Sequence, residues 1–303
     1  MLPTPGFHHL HLNSVDPDAA IGFYMRQFPS TTKGEWAGLP ALLSPNNVMI
    51  LFNNVDTKPA MWPPSAIWHF GWHVPDVRGN IARFQSRDEV KLLPLYTDEA
   101  GDFVLINSDF YPAPAGGAPG LTKAQVADAK ATNVQPKRGG GFAYMEGPEG
   151  ALVEYVGDHP AERFDHVHLW QEDPFAALEW YQKHLNAPTR PGFTPPNEPV
   201  KRGAERSWPS LDREGTFREP RAGVVFGDIV LTWYANQWDT PLVPSRGQLQ
   251  DHIAFSVADL DAWIAKLRGE GVTFLEQPYR LGDTRAVMIE GPSREALELI
   301  EVR

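Results

Sequence analysis

Four of the ten histidines in this chain of 303 residues share one offset. His9, His69, His166 and His252 each stand seven residues before an aspartate, respectively Asp16, Asp76, Asp173 and Asp259. Two glutamates recur in the same way. In Gly147-Pro148-Glu149-Gly150-Ala151-Leu152-Val153-Glu154 and in Gly291-Pro292-Ser293-Arg294-Glu295-Ala296-Leu297-Glu298, the last Glu follows by seven residues the Gly that opens a turn. Two imidazoles and one carboxylate on one side of a divalent cation leave positions open for substrate and for oxygen or water. A cation saturated by protein ligands has no such positions and serves structure only. Taken half by half along the chain, the candidate ligand sets are His9, His69 and Glu154, then His166, His252 and Glu298. A single strand histidine is more often packed or exposed than ligating; the shared offsets set these apart. His11, His73 and His168 share their face and are candidates for orienting the ligands. His8, His159 and His184 have no counterpart in the repeat and read as surface or packing residues.

The elements that position these groups follow from the same stretches. Alternation around His9 puts Phe7, His9, His11 and Asn13 on one strand face and Leu10 and Leu12 on the other. His166 and His168 oppose Val167 and Leu169; His69, Gly71 and His73 oppose Phe70, Trp72 and Val74. In the fourth copy His252, Ala254 and Ser256 oppose Ile253, Phe255 and Val257. Each strand thus has an oily face for a helix and a face of His and small residues for a cleft. The Asp after each strand caps a helix, with Pro17 and Pro174 at the favoured first helical position. Ala19, Ala20, Phe23 and Tyr24, then Ala177, Leu178, Trp180 and Tyr181, have helical apolar spacing. Further helices are expected over Val77–Phe84 and over Leu260–Leu267, the latter ended by Gly269 or Gly271.

Shorter strands follow each helix: Ala41–Leu43 and Val48–Phe52, Phe142–Met145 and Ala151–Val156, Gly223–Phe226 and Asp228–Tyr234, Ala286–Ile289 and Ala296–Val302. Strand, helix and two or three strands, four times over, is an internal repeat. Insertions interrupt it at about 97–141, with a short helix expected at Leu121–Ala131, and at about 188–221; loops of that length serve as lids or binding loops or are disordered. The length fits two domains, 1–159 and 160–303. In the closing hairpins a three-residue loop pairs Gly147 with Ala151, and so sets Tyr144 opposite Glu154 and Met288 opposite Glu298. Arg294 then takes a left-handed position at a cost of about 1 kcal/mol. Tyr144 becomes the candidate catalytic residue, a hydrogen-bond donor or acid beside a bound substrate.

Composition narrows the chemistry. With no Cys there are no disulfides, thiolate sites, iron–sulfur clusters or Cys nucleophiles. A net charge of −11 argues against nucleic acid or an anionic membrane as partner. No apolar run is long enough to span a bilayer. Met1–Pro5 shows no signal peptide, so a cytoplasmic location is expected unless a leader has been removed. The expected partner is a small-molecule substrate, with the chain a monomer or homodimer.

On these residues the chain resembles the vicinal oxygen chelate superfamily of glyoxalase I, bleomycin and fosfomycin resistance proteins and extradiol dioxygenases. The likeness rests on the four His-to-Asp openings, the Phe23-Tyr24 and Trp180-Tyr181 pairs, and the two Gly-Pro…Glu closings. It implies an α+β fold of four βαβββ modules paired into two domains, each a curved mixed sheet around a metal cleft. It also implies ligands from the first strands of two paired modules and the last strand of one or both. Carried over residue by residue, these are again His9, His69 and Glu154, with His166, His252 and Glu298. Glyoxalase I adds a carboxylate from the other last strand; Val48–Phe52 and Ile229–Trp233 offer none. Tyr144-x-x-Gly147-Pro148-x-Gly150-x-x-x-Glu154 nearly matches the closing motif of the extradiol dioxygenases, although their His shortly before the Tyr has no counterpart here. The resemblance thus implies a metal-dependent enzyme acting on a substrate that chelates through adjacent oxygens. The dioxygenase version uses Fe2+. The alternatives are a non-redox lyase or isomerase with Zn2+, Mn2+ or Ni2+, and a binding protein of the resistance type that turns nothing over.

Overall fold

The structure is a computed structural model and describes residues 2–93, 96–97, 103–104, 131, 142–157, 159–190, 221–236 and 240–302. Both expected insertions, and all but the last residue of the helix expected at Leu121–Ala131, lie largely outside these residues. Each module opens on a strand that runs into a helix: β1 (Gly6–Ser14) and α1 (Pro17–Gln27), β5 (Ile67–His73) and α2 (Val77–Gln85), β11 (Arg163–Gln171) and α3 (Pro174–Leu185), β14 (Gln250–Val257) and α4 (Leu260–Gly269). The four aspartates cap these helices as the sequence predicts. Asp16 accepts from Ala19 N, Asp76 from Gly79 N, Asp173 from Phe175 N and Ala176 N, and Asp259 from Ala262 N.

The remaining strands are β2 (Thr32–Trp36), β3 (Leu39–Leu43) and β4 (Met49–Asn54) in module 1; β6 (Lys91–Leu93), the short pair β7 (Tyr96–Thr97) and β8 (Phe103–Val104), β9 (Phe142–Glu146) and β10 (Leu152–Val156) in module 2; β12 (Arg221–Phe226) and β13 (Ile229–Ala235) in module 3; and β15 (Tyr279–Leu281), β16 (Thr284–Glu290) and β17 (Ala296–Glu301) in module 4. The fold is α+β, built on two curved mixed sheets. One runs β15-β16-β17-β14-β1-β4-β3-β2, the other β12-β13-β11-β5-β10-β9-β6. The first unites the outer modules 1 and 4, the second the inner modules 2 and 3. The outer-module sheet curls until its two ends meet: a Cβ on Gly282, in the β15–β16 turn, would lie 3.0 Å from Ala37 in the β2–β3 turn.

The sequence expectation that modules 1 and 2 share one sheet, and modules 3 and 4 the other, is corrected by this topology. Connection length supplies the reason. Only residues 157–162 separate β10 from β11. That link is long enough to cross β5 and set β11 antiparallel against it, His168 beside His69, at strand spacings of about 4.8 Å. Residues 55–66 and 236–249 are about twice as long and carry the chain from one sheet to the other.

One continuous core joins the backs of both sheets. Phe28, after α1, stacks on Trp72 of β5 at 4.2 Å and 8°, and Phe226 meets Phe255 at 4.2 Å. The inner-module sheet is therefore packed against the helix of an outer module. Phe28→Ala should lower the unfolding free energy in urea by about 3–5 kcal/mol; a loss below about 1 kcal/mol would show that the two sheets do not depend on this contact.

Candidate metal centres

Every first strand carries a β-bulge at the residue just before its repeated histidine. In β1, Phe7 pairs with Phe255 but His9 with Ala254, leaving His8 as the extra residue; in β14, His252 pairs with His11 but Gln250 with Leu12, leaving Asp251. In β11 and β5 the same shift leaves Asp165 and Trp68. A bulge breaks the alternation of faces. Phe7, expected on the cleft face, is consequently in the core with Leu10 and Leu12. The extra residue can then lie alongside the histidine that follows it. Asp165 Oδ2 is 2.8 Å from His166 Nδ1, Asp251 Oδ1 is 2.6 Å from His252 Nδ1, and His8 and His9 share a 2.9 Å hydrogen bond between their Nδ1 atoms. The Trp68 ring lies 4.1 Å from that of His69.

In the outer-module sheet, His9 Nε2 and His252 Nε2 each lie 3.6 Å from Glu298 Oε2. All three atoms are buried, and none has a hydrogen-bond partner. Ligand atoms about 2.1 Å from a common ion, at angles between octahedral and tetrahedral, stand about 3.0–3.4 Å apart. Three orphaned buried ligand atoms near that spacing fit a cation. The Tyr279 hydroxyl donates to Glu298 Oε1 and fixes the carboxylate from behind. His11 also brings a ring nitrogen within 4.8 Å of His9 and His252. It stacks on His252 at 4.4 Å and 30°. The His9 and His252 rings stand at 69°, and both Nε2 atoms face Glu298 Oε2.

The inner-module centre has the same plan. His69 Nε2 is hydrogen-bonded to Glu154 Oε2 at 2.7 Å, and His166 Nε2 stands 3.3 Å from that oxygen without the direction of a hydrogen bond. His168 stacks on His166 at 4.4 Å and 29°, while His69 and His166 stand at 85°. Gly71 makes room: a Cβ there would lie 2.7 Å from His166 Nε2 and 2.7 Å from Glu154 O. Tyr144 pairs across from Glu154, with its ring 5.1 Å from that of His69. Met288 pairs with Glu298, and Arg294 takes a φ of 70°. All three features were expected from the hairpin sequences.

Electrostatics separates the ligands of each centre. Burial holds His9 well below its usual value and His69 down to about 4. Burial also opposes protonation of His166, but the Glu154 charge and the Asp165 hydrogen bond outweigh it and push the group up to about 9. His252 is likewise raised to about 9 against burial, by its hydrogen bond to Asp251 and by the Glu298 carboxylate 3.6 Å away. Burial raises the Glu154 carboxyl, yet the charge of His166 3.3 Å away and the hydrogen bond with His69 hold it well below the carboxylate range. Each centre is built to hold positive charge.

All six candidate ligands read from the sequence therefore lie in the two clusters, but in different company. His9 belongs with His252 and Glu298, and His69 and Glu154 belong with His166; His9 is not brought to His69. Asp165, Asp251 and Tyr279 were missed. Each Asp directly precedes a repeated His, which is a visible signal, but plain alternation places it on the opposite face. His73 reaches Asp165 Oδ1 at 2.8 Å, in keeping with an orienting role. His184 is buried against Glu270, and His159 bonds to Ala161 O.

Residues 163–299 match the family described as the Glyoxalase/Bleomycin resistance protein/Dioxygenase superfamily. Over this segment, just under half of the chain, the sequence is similar to that superfamily. The resemblance read from the sequence is thus borne out. The whole chain is similar in fold to glyoxalase I from Zea mays, with 16% identity, a TM-score of 0.62, and 98% of this chain and 92% of that chain covered. It is also similar to a putative dioxygenase from Bacillus subtilis, at 12% identity and a TM-score of 0.54, over 99% of this chain and 86% of the other. No curated protein sequence matches. Among the described residues, no helix is long and apolar enough to cross a membrane.

Two predictions follow from the geometry. Gly71→Ala should displace the His166 ring and reduce metal bound at the inner-module centre, leaving the outer one intact; unchanged metal content by elemental analysis would refute the cradle. The second concerns metal-free protein. His166 and His252, raised from 6.5 to about 9, contribute stability that is fully present below pH 6.5 and lost as pH rises through about 9. The depressed His9 and His69 act in the opposite sense, but below pH 6.5. The melting temperature of chelator-treated protein should thus fall between pH 6.5 and 9; a rise across that window would contradict the assignment.

Proposed function

We propose that the protein is a divalent-metal-dependent enzyme of the glyoxalase/dioxygenase type, acting on a small substrate that chelates through adjacent oxygens, with dioxygenase-like chemistry at the inner-module centre. One observation carries this reading. In each sheet two imidazoles and one buried carboxylate converge, and the corner where a second carboxylate could stand is taken by Thr232 beside His168 or by Leu51 beside His11. Three protein ligands leave coordination positions for a substrate. A bound divalent ion supplies Lewis acidity and, as Fe(II), electrons for a reaction with oxygen.

The chain's own residues do the rest. Asp165 and Asp251 accept hydrogen bonds from the Nδ1 sides of His166 and His252, which turns each Nε2 toward the centre. Tyr144 stands beside His69 and across from Glu154, where its hydroxyl can pass a proton to or from a substrate oxygen. Trp68 and Trp170, stacked at 4.0 Å, form an apolar wall that keeps water from this side.

Elemental analysis of the purified protein should find about two divalent ions per chain, one lost in His69→Ala and the other in His9→Ala. Oxygen uptake by Fe(II)-loaded protein over a panel of catechols tests the chemistry, with Tyr144→Phe expected to slow it about a hundredfold. Bound Zn2+, Mn2+ or Ni2+ with no uptake favours the non-redox lyase or isomerase; absence of bound metal overturns the proposal.

A further inference from the structure

The two connections that carry the chain from one sheet to the other meet beside a cavity of about 210 Å3. Ala60 of the first forms a bridge with Gln248 of the second, and Ser65 with Val243. Leu249 N donates to Ala60 O, and Val243 N to Pro64 O. Trp62 reaches the cavity from one connection and Gln248 from the other. Trp68, Leu152 and Trp170 line it from the inner-module sheet, and Gln250 from the start of β14 in the outer one. None of the candidate metal ligands is among the described residues that line it.

The lining decides what can lie there. Among the described residues around the cavity there is no Asp, Glu, Lys, Arg or His, so a charged ligand would lose its water without gaining a counter-charge. The walls are rings. Trp68 and Trp170 stack at 4.0 Å and 26°, and Trp62 is 63% exposed to solvent. An aromatic body gains from such ring faces and edges beyond the area it buries. A cavity of about 150 Å3 takes one benzene, so this one has room for one ring or two small fused ones. Two amides complete the lining. Gln250 Nε2 donates to Trp68 O at 3.4 Å, whereas Gln248 Oε1 is buried and has no hydrogen-bond partner among the described residues. The Gln248 backbone is fixed on both sides, its N–H donating to Ser245 O and its O accepting from Asn13 Nδ2. A buried acceptor held in place and left unpaired calls for a donor.

We propose that this cavity binds a small neutral aromatic molecule that carries one N–H or O–H group, with its ring against the tryptophans and its donor on Gln248 Oε1. The site is separate from both candidate metal centres and stands without the metal reading. Its occupant touches both connections and both sheets, so binding favours the folded arrangement of the two sheets. Trp68, whose ring lies 4.1 Å from that of His69, is a wall that the cavity shares with the inner-module centre.

Calorimetric titration of the purified full-length chain with indole and with N-methylindole, which keeps the rings but has no donor, tests this. Indole should bind at one equivalent per chain, about tenfold more tightly than N-methylindole, and should raise the melting temperature. Gln248→Leu, which leaves the backbone contacts in place, should abolish the preference by weakening indole alone. Trp62→Ala should weaken both probes severalfold and leave the preference intact. Metal content should be the same in both variants, which separates this result from any failure of the metal reading. Absence of indole binding, equal affinity for the two probes, or a preference that survives Gln248→Leu overturns the proposal. If Gln248→Leu fails to fold, Trp62→Ala decides: an indole affinity unaltered there places the ligand elsewhere and overturns it too.

Discussion

Two carboxylates buried among imidazoles constrain everything around them. Glu154 and Glu298 are 5% and 1% exposed. An uncompensated carboxylate at such a depth costs more than the whole margin by which a domain is stable. Each centre therefore favours positive charge beside its carboxylate. Without a metal that charge is a proton on His166 or His252, while burial keeps His69 and His9 neutral. Two protonated imidazoles in one centre would repel each other. The Asp-supported histidine takes the proton, and a divalent ion held by the same residues would require that proton to leave.

That requirement gives a reason for the bulges. A strand with unbroken alternation presents a ligand on one face and its neighbours on the other, so nothing next in sequence can support the ligand from the side. One extra residue per first strand places a carboxylate against Nδ1 in β11 and β14. In β1 and β5 the same device brings His8 and Trp68 against the histidine instead. Each centre thus joins one histidine with an Asp behind it to one without. This follows from pairing an early module with a late one, since both Asp residues belong to the second half of the chain.

The local features were legible because they rest on neighbouring residues. The helix caps, the closing hairpins, the Tyr144–Glu154 pairing and the left-handed Arg294 each depend on fewer than a dozen consecutive positions. The pairing of modules was not legible from the repeat, because all four first strands present the same edge pattern and any two could pair. The deciding quantity was the short connection at 157–162 against the longer ones at 55–66 and 236–249, and the repeat itself is silent on that. The bulges were hidden for a related reason. They arise where two antiparallel first strands meet, so they belong to a pair of strands and leave no mark on either sequence alone. Phe7 shows the consequence, since one inserted position moves it from the cleft to the core.

The shared frame leaves the two centres free to diverge. In the outer-module sheet Tyr279 engages Oε1 of Glu298, so Oε2 faces His9 and His252 at equal distances, poised for a shared ion. In the inner-module sheet Glu154 Oε2 bonds directly to His69, and a cation held there would have to replace that hydrogen bond. Preorganisation at the first centre and exchange at the second are different ways of meeting the same charge requirement. The rungs beyond the ligands follow suit: Leu51 stands beside His11 at the preorganised centre, whereas Thr232 stands beside His168 at the other. What the modules hold in common is the means of bringing two imidazoles and a carboxylate together; the residues one rung further out are where the two centres differ.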